Sequence, residues 1–192
     1  MKKIIYGCLI LLAMVSVSSC GYNSMVKLDE QVQAQWGQVE NVYQRRADLI
    51  PNLVNTVKGA ADFEKETLTQ VIEARAKATQ ITVNPDQLTP ENIQKFQSAQ
   101  GELSSAIGRL LMVTENYPQL KANANFQELQ AQLEGTENRI TVERQKFNQV
   151  TQEYNSKIRT FPNNLTAGLF GFEKKGYFQA EAGAQKAPTV EF

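Results

Sequence analysis

The residues of this chain that could do chemistry are few, and nearly all are carboxylates and arginines. Histidine is absent, which removes the usual general base near neutral pH and the commonest metal ligand. There is no Gly-rich phosphate loop and no nucleophile–base motif. Glu64, Glu66 and Glu73 are conceivable as an acid/base cluster. Glu66 and Glu73 are seven apart and share a helix face, but so do most charges on a solvated helix, and that is the preferred reading. The more informative group is Arg45, Arg46, Asp48 and Asn52. Arg46 falls on a seam of apolar residues spaced three and four apart, with the other three a turn around it. A buried guanidinium needs an acidic partner, and Glu143, on a later apolar seam, is the candidate. The preferred use is a structural ion pair fixing helix register at Pro51; the alternative is a polar groove for a peptide, a small molecule or an anionic ligand. No metal, cofactor or catalytic residue is expected, and the chain is read as a non-enzyme.

The two cysteines, Cys8 and Cys20, make neither a zinc site nor a disulfide framework. Met1-Lys2-Lys3 followed by the apolar run Ile4 to Val17 has the charged and hydrophobic regions of a secretory signal. The run, of about 14 residues, is too short for a membrane-spanning helix, which takes about 20. Val17-Ser18-Ser19-Cys20 is similar to the lipobox of bacterial lipoproteins, an aliphatic residue and two small residues before the cysteine. In that class the cysteine is acylated and becomes the first residue of the mature chain. Residues 1–19 are therefore expected to be a signal peptide and Cys20 the lipidation site. Several acyl chains hold firmly, since each buried CH₂ contributes about 0.8 kcal/mol. Cleavage also discards Cys8, so no thiol redox role is expected. Gly21-Tyr22-Asn23-Ser24 lacks the Asp and the acidic run that direct other lipoproteins elsewhere, which favours the periplasmic side of a membrane.

The elements that must position these residues are helical. Lys+Arg and Asp+Glu are equal at 20 each in 192 residues, so no global charge recruits nucleic acid, and the length suits one domain. Val32, Trp36, Val39, Tyr43, Arg46, Ile50, Leu53 and Val57 alternate steps of four and three, a bundle-type seam, widened by Val42, Leu49 and Val54. Pro51 lies within it and cannot donate to the carbonyl of Ala47, which predicts a kink rather than a stop. The helix is expected to end near residue 60. Asp62 is a candidate cap for a second helix carrying Phe63, Leu68, Val71, Ile72, Arg75 and Ala78. Asn84-Pro85-Asp86 reads as a turn, and Thr89-Pro90-Glu91 as the start of a third helix. Its seam is Ile93, Phe96, Gln100, Leu103, Ile107, Leu110 and Thr114, with an end at Tyr117-Pro118. The last helix, capped by Asn123 or Asn125, carries Phe126, Leu129, Leu133, Thr136, Ile140, Glu143, Phe147, Val150 and Tyr154. It extends through Ile158 to Phe161, where Phe161-Pro162-Asn163-Asn164 breaks it.

These stripes predict an all-α, antiparallel up-and-down bundle of about four helices with long first and last members. Trp36 is expected in its core. Residues 20–179 form the bundle domain with a C-terminal aromatic segment, and 180–192 form a flexible tail. The aromatic segment (Leu169, Phe170, Phe172, Tyr177, Phe178) either folds back over one end of the bundle, the preferred reading, or presents a patch to a partner or membrane.

Several blocks carry a resemblance. Tyr22-Asn23-Ser24-Met25-Val26 with Trp36, the segment Arg45 to Val54 with Thr56-Val57-Lys58-Gly59, Glu64 to Leu68, and Glu73-Ala74-Arg75 are similar to the LemA family. So are Glu115 to Asn123, Thr136 to Ile140, Tyr154-Asn155, and Phe161 to Leu165 with Phe170-Gly171-Phe172. The resemblance covers nearly all of the mature chain and implies a helical bundle at the cell envelope. Many members of that family keep an uncleaved N-terminal transmembrane segment; here a lipobox stands in its place. Some carry histidines near the positions of Asp48 and Glu64, and this chain has none. The family brings no agreed substrate. The expected function is that of a lipid-tethered envelope interaction protein whose partners are the membrane and another envelope protein.

Overall fold

The computed structural model describes residues 2–59 and 63–180, with side chains described from Gly21 onward; Asp62, the side chain of Cys20 and residues 181–192 lie outside the described residues. Among the described residues every regular element is helical. They are α1 (Lys2–Lys58), α2 (Lys65–Gln80), a 3₁₀ turn (Pro85–Gln87), α3 (Pro90–Thr114), α4 (Pro118–Lys121), α5 (Ala124–Arg159) and α6 (Asn163–Phe170). The short α4 and α6 were not anticipated, because one or two turns show no period.

The chain starts and stops its helices with local chemistry. The Thr89 hydroxyl accepts from the Asn92 amide (3.3 Å) with Pro90 in the first turn. Asn123 Oδ1 accepts from the amides of Asn125 (2.9 Å) and Phe126 (3.2 Å), satisfying two of the donors an N-terminus leaves free. Asn84 closes its turn by accepting from the Asp86 amide.

α1 packs chiefly on α5, and α2 on α3. All eight seam residues expected in α1 and all seven in α3 are buried. They fill two apolar clusters. One holds Trp36, Val39, Tyr43, Phe96, Phe147 and Tyr154 with the C-terminal Phe178. The other holds Ile50, Leu53, Val57, Leu68, Leu103, Leu110, Phe126 and Leu133. Arg46 and Gln100, both buried, fall between the clusters in sequence on their respective helices. Trp36 is fully buried, donates from Nε1 to the Val83 carbonyl (3.2 Å), and meets Phe96 and Phe147 edge-on at 5.1 and 5.5 Å. Ile72, in contrast, is 46% exposed.

Pro51 stands inside α1 without ending it. Its missing N–H leaves the Ala47 carbonyl without an intrahelical donor. Arg75 of α2 supplies one: its Nε–H donates to that oxygen at 2.7 Å. The sequence defect is thus converted into a cross-link between two helices, and the half-buried Arg75 explains why a charged residue lies on the α2 stripe.

After α6, Gly171 turns the chain through a left-handed conformation (φ 75°), and residues 172–180 run without regular structure across α3 and α5 as a strap. Side-chain amides grip its backbone in place of a partner strand. Asn155 exchanges two bonds with Lys175 (both 2.9 Å), and Asn148 two with Phe178 (2.8 and 2.9 Å). Gln97 exchanges two with Gln179 (2.8 and 3.0 Å). Gly176 donates to the Leu88 carbonyl (2.8 Å), and a Cβ there would sit 2.7 Å from Pro90 Cα, so glycine is required for this approach. Phe178 stacks on Trp36 under the Arg144 guanidinium.

Arg75→Ala should lower stability by about 1–3 kcal/mol, the cost of leaving a carbonyl acceptor without its donor. In a Pro51→Ala background the loss should shrink by at least about 0.5 kcal/mol, because residue 51 then supplies the N–H itself. Urea unfolding of the four proteins in the cycle measures this, and equal losses in both backgrounds would show that Arg75 does not serve the proline gap.

Candidate functional site

An extensive buried polar constellation is built around Arg46. Its side chain is 1% exposed. Nη1 donates to the Ser104 hydroxyl of α3 (2.6 Å) and to Glu137 Oε1 of α5 (2.8 Å). Nη2 donates to the Gln100 side chain (2.5 Å) and to its backbone carbonyl (3.1 Å). Gln100 Nε2 in turn donates to the Ala78 carbonyl at the end of α2 (3.2 Å). The guanidinium lies 5.0 Å from the centre of the Tyr43 ring, a cation–π contact strengthened by burial. Burial pushes the Tyr43 hydroxyl up, against the pull of Arg144 and Arg46, so this ring stays neutral. One cation therefore touches α1, α3 and α5 directly and α2 through Gln100. Arg46 Nε has no hydrogen-bond partner.

The predicted partner of Arg46 is corrected by this geometry. Glu137, not Glu143, takes the ion pair. The reason is register. Trp36 packs on Phe147, and Arg46, ten residues further along α1, reaches the residue ten before it on α5. Glu143 instead sits beside Gln35, whose Nε2 donates to it at 2.6 Å, and pairs with Lys146 at 2.9 Å. The Lys146 and Gln35 hydrogen bonds hold its carboxyl below the usual carboxylate value. Arg45, Asp48 and Asn52 are exposed; Asp48 accepts from Gln44 one turn earlier (2.7 Å). The structure does not bring these three to Arg46. A depression of about 90 Å³ is lined by Glu40, Tyr43, Ala47, Ala78, Phe96 and Gln100 among others. Burial raises the Glu40 carboxyl. Glu64, just before α2, and Glu66 and Glu73 on it are exposed, and no group of metal-binding residues occurs among the described residues.

A second polar arrangement escaped the sequence reading. Lys175 of the strap is 7% exposed, pairs with Asp29 of α1 at 2.6 Å and lies 5.3 Å from the centre of the Tyr154 ring. The Tyr154 hydroxyl donates to the Glu173 carbonyl (3.0 Å), and its pKa is driven up by burial first and then by Asp29 and Glu173. These residues border an open cleft of about 350 Å³ with Gln33, Asp86 and Thr89. The only hint in the sequence was Asn155, seven residues after Asn148, on the face that grips the strap.

A family profile described as the LemA family matches residues 35–192, a span that includes Arg46, its partners and the strap.

This chain belongs to the LemA family.

Among curated relatives it is 27% identical over 186 residues to "Magnetosome protein MamQ 2" of Paramagnetospirillum magneticum, covering 88% of this chain and 68% of that protein. It is 26% identical over 197 residues to "Magnetosome protein MamQ" of Magnetospirillum gryphiswaldense, covering 94% and 72%. It is 25% identical over 158 residues to "Protein LemA" of Metamycoplasma hominis, covering 82% and 68%. For this LemA-family chain the Arg46 constellation has the chemistry of a register lock: of its five N–H donors four are used, all on neighbouring helices, and its acidic partner is half exposed.

Arg46→Ala should cost about 3–5 kcal/mol, because it strips the buried Gln100 and leaves a cavity between the clusters. Replacing Arg46 by Met together with Gln100 by Leu should recover most of that loss, since a well-packed apolar pair removes the need for the charge. Chemical denaturation reads both. A near-neutral Arg46→Ala would mean that the lock contributes nothing to the fold.

Proposed function

We propose that this protein is a non-catalytic interaction scaffold of the cell envelope, held at a membrane by acylated Cys20 with its bundle facing the periplasm. The four long helices are read as an antiparallel up-and-down bundle. Supporting that topology, the partners of α1 residues 36 and 46 on α5 run backwards from 147 to 137, and those of α2 residues 70 and 77 on α3 run backwards from 109 to 102.

The observation that carries the proposal is positional. The lipobox-like Val17-Ser18-Ser19-Cys20 lies within the N-terminal stretch of α1, the helix that also forms one whole side of the core. A lipid on Cys20 would therefore act on a stiff lever rather than a floppy leash. Such a tether works by confinement: a partner bound to the bundle is held near the membrane at raised effective concentration. The acidic and amide side chains of α2 and the outer face of α5 give the exposed surface on which a second envelope protein would dock. A ligand groove at Arg46 is the weaker reading, because its terminal nitrogens are already engaged within the protein.

In cells fed a labelled fatty acid, the wild-type chain should take up the label, float with membranes and lose its first nineteen residues. Cys20→Ala should do none of these three except membrane retention through the uncut apolar run. Crosslinking from exposed Arg45 should capture an envelope protein in the wild type and much less of it when the bundle is released by proteolysis after Gly21. An unlabelled wild-type chain that keeps residues 1–19 would remove the lipid tether.

A further inference from the structure

We propose that α6 and the turn before it form a foot that lies in the membrane interface beside the anchor, so that the bundle is docked on the lipid surface as well as tethered to it. The inference rests on the membrane-tether reading above and adds a second contact to it.

α6 has its large apolar side chains on the wrong side for a soluble domain. The face toward the bundle carries Asn163, Thr166 and Ala167, of which only Ala167 is fully buried. The outward face carries Leu165 and Leu169, one turn apart, at 65% and 79% exposure; Phe170, on the side that meets Tyr22, is still 58% exposed. Phe161, just before the helix, is 76% exposed. A helix that buries small residues and displays large ones has its apolar stripe aimed at something other than its own core.

The position of this patch says what that something is. Gly21 packs so closely on Asn163 that a Cβ there would collide with the asparagine side chain, and Tyr22 meets Phe170 at 4.8 Å and Phe172 at 5.7 Å. α6 is therefore beside the residue that follows Cys20, at the end of the bundle where the apolar run from Ile4 to Val17 joins it, and its outward face looks away from the bundle at that end. Lys157 and Arg159 close α5 at the same end, and cations beside apolar side chains are the composition of helices that rest in the interface plane. A bilayer is the occupant that this end of the chain must meet first. Phe178 and Phe172 take the other role expected of the aromatic segment: they pack on the bundle.

The test uses the full chain reconstituted in vesicles of phosphatidylethanolamine and phosphatidylglycerol, with or without lipids brominated on their acyl chains. Leu169→Trp adds an emitter on the foot; Met112→Trp, 73% exposed near the far end of α3, adds one at the opposite end. The native Trp36 signal is subtracted from both. The added emission of Leu169→Trp should shift to the blue and be largely quenched by brominated acyl chains, while that of Met112→Trp should stay red and unquenched. A chain that floats with the vesicles but keeps an unquenched, water-like residue 169 overturns docking and leaves the tether standing. A blue-shifted but unquenched residue 169 assigns the patch to a second copy or another protein, and overturns the lipid contact. A chain that fails to float overturns tether and foot together.

Discussion

The bundle depends on burying one guanidinium. Desolvating Arg46 costs several kcal/mol unless its donors are met, and they are met only when two neighbouring helices, α3 with Gln100 and Ser104 and α5 with Glu137, present them at the same height. Apolar seams alone tolerate sliding by a heptad, because one leucine fits a hole much as another does. A cation with four directional bonds does not. Placed between two aromatic-rich and aliphatic-rich clusters, it selects one register for α1, α3 and α5 and passes that choice to α2 through Gln100 and Ala78. The Arg75 bond to Ala47 lies one residue from it in α1, so two arginines pin the same level of the bundle from different helices.

The strap solves a related problem by different means. An irregular segment laid over helices has backbone donors and acceptors that no ladder satisfies. Asn148, Asn155 and Gln97 each present a carboxamide, whose paired donor and acceptor imitate a peptide group. Spacing two of them seven apart on α5 places both on one face, matched to a strap that advances three residues between grips. Phe178 then closes the aromatic cluster around Trp36. The C-terminal segment is thus a working part of the core rather than an appendage, in keeping with a family match that runs through it.

What was legible in the sequence follows from which forces are local. Helix existence, the buried faces of α1 and α3, the Thr89 cap, an asparagine cap at 123 or 125 and the core position of Trp36 depend on spacing along one chain segment, and they were read there. The vacancy that Pro51 makes at Ala47 was also readable, because it is a property of residues four apart. Its donor was not, since Arg75 reaches it only through the mutual height of two helices. The same blindness substituted Glu143 for Glu137: both lie near the inner side of α5, and only the Trp36–Phe147 register distinguishes them. Residues 171–180 carry no period at all, so their docking by amides could not be seen, and α6 was too short to show that its apolar face points outward.

That outward face also bears on how a rigid body can be useful at a membrane. A domain on one lipid attachment alone swivels, and the benefit of confinement to a surface is spread over every orientation it samples. Here the residue after the proposed attachment site belongs to an uninterrupted α1, and α1 is locked to α5 near its middle by Arg46. Fixing the foot would therefore fix the tilt of α1, and with it the direction in which the far end around Leu120 and Phe126 points. The register lock and the foot become parts of one device: the first makes the bundle stiff enough to hold an angle, and the second sets the angle to be held. A partner at the far end would then meet the same face at the same height above the lipid, which is a stricter arrangement than a tether of equal length supplies.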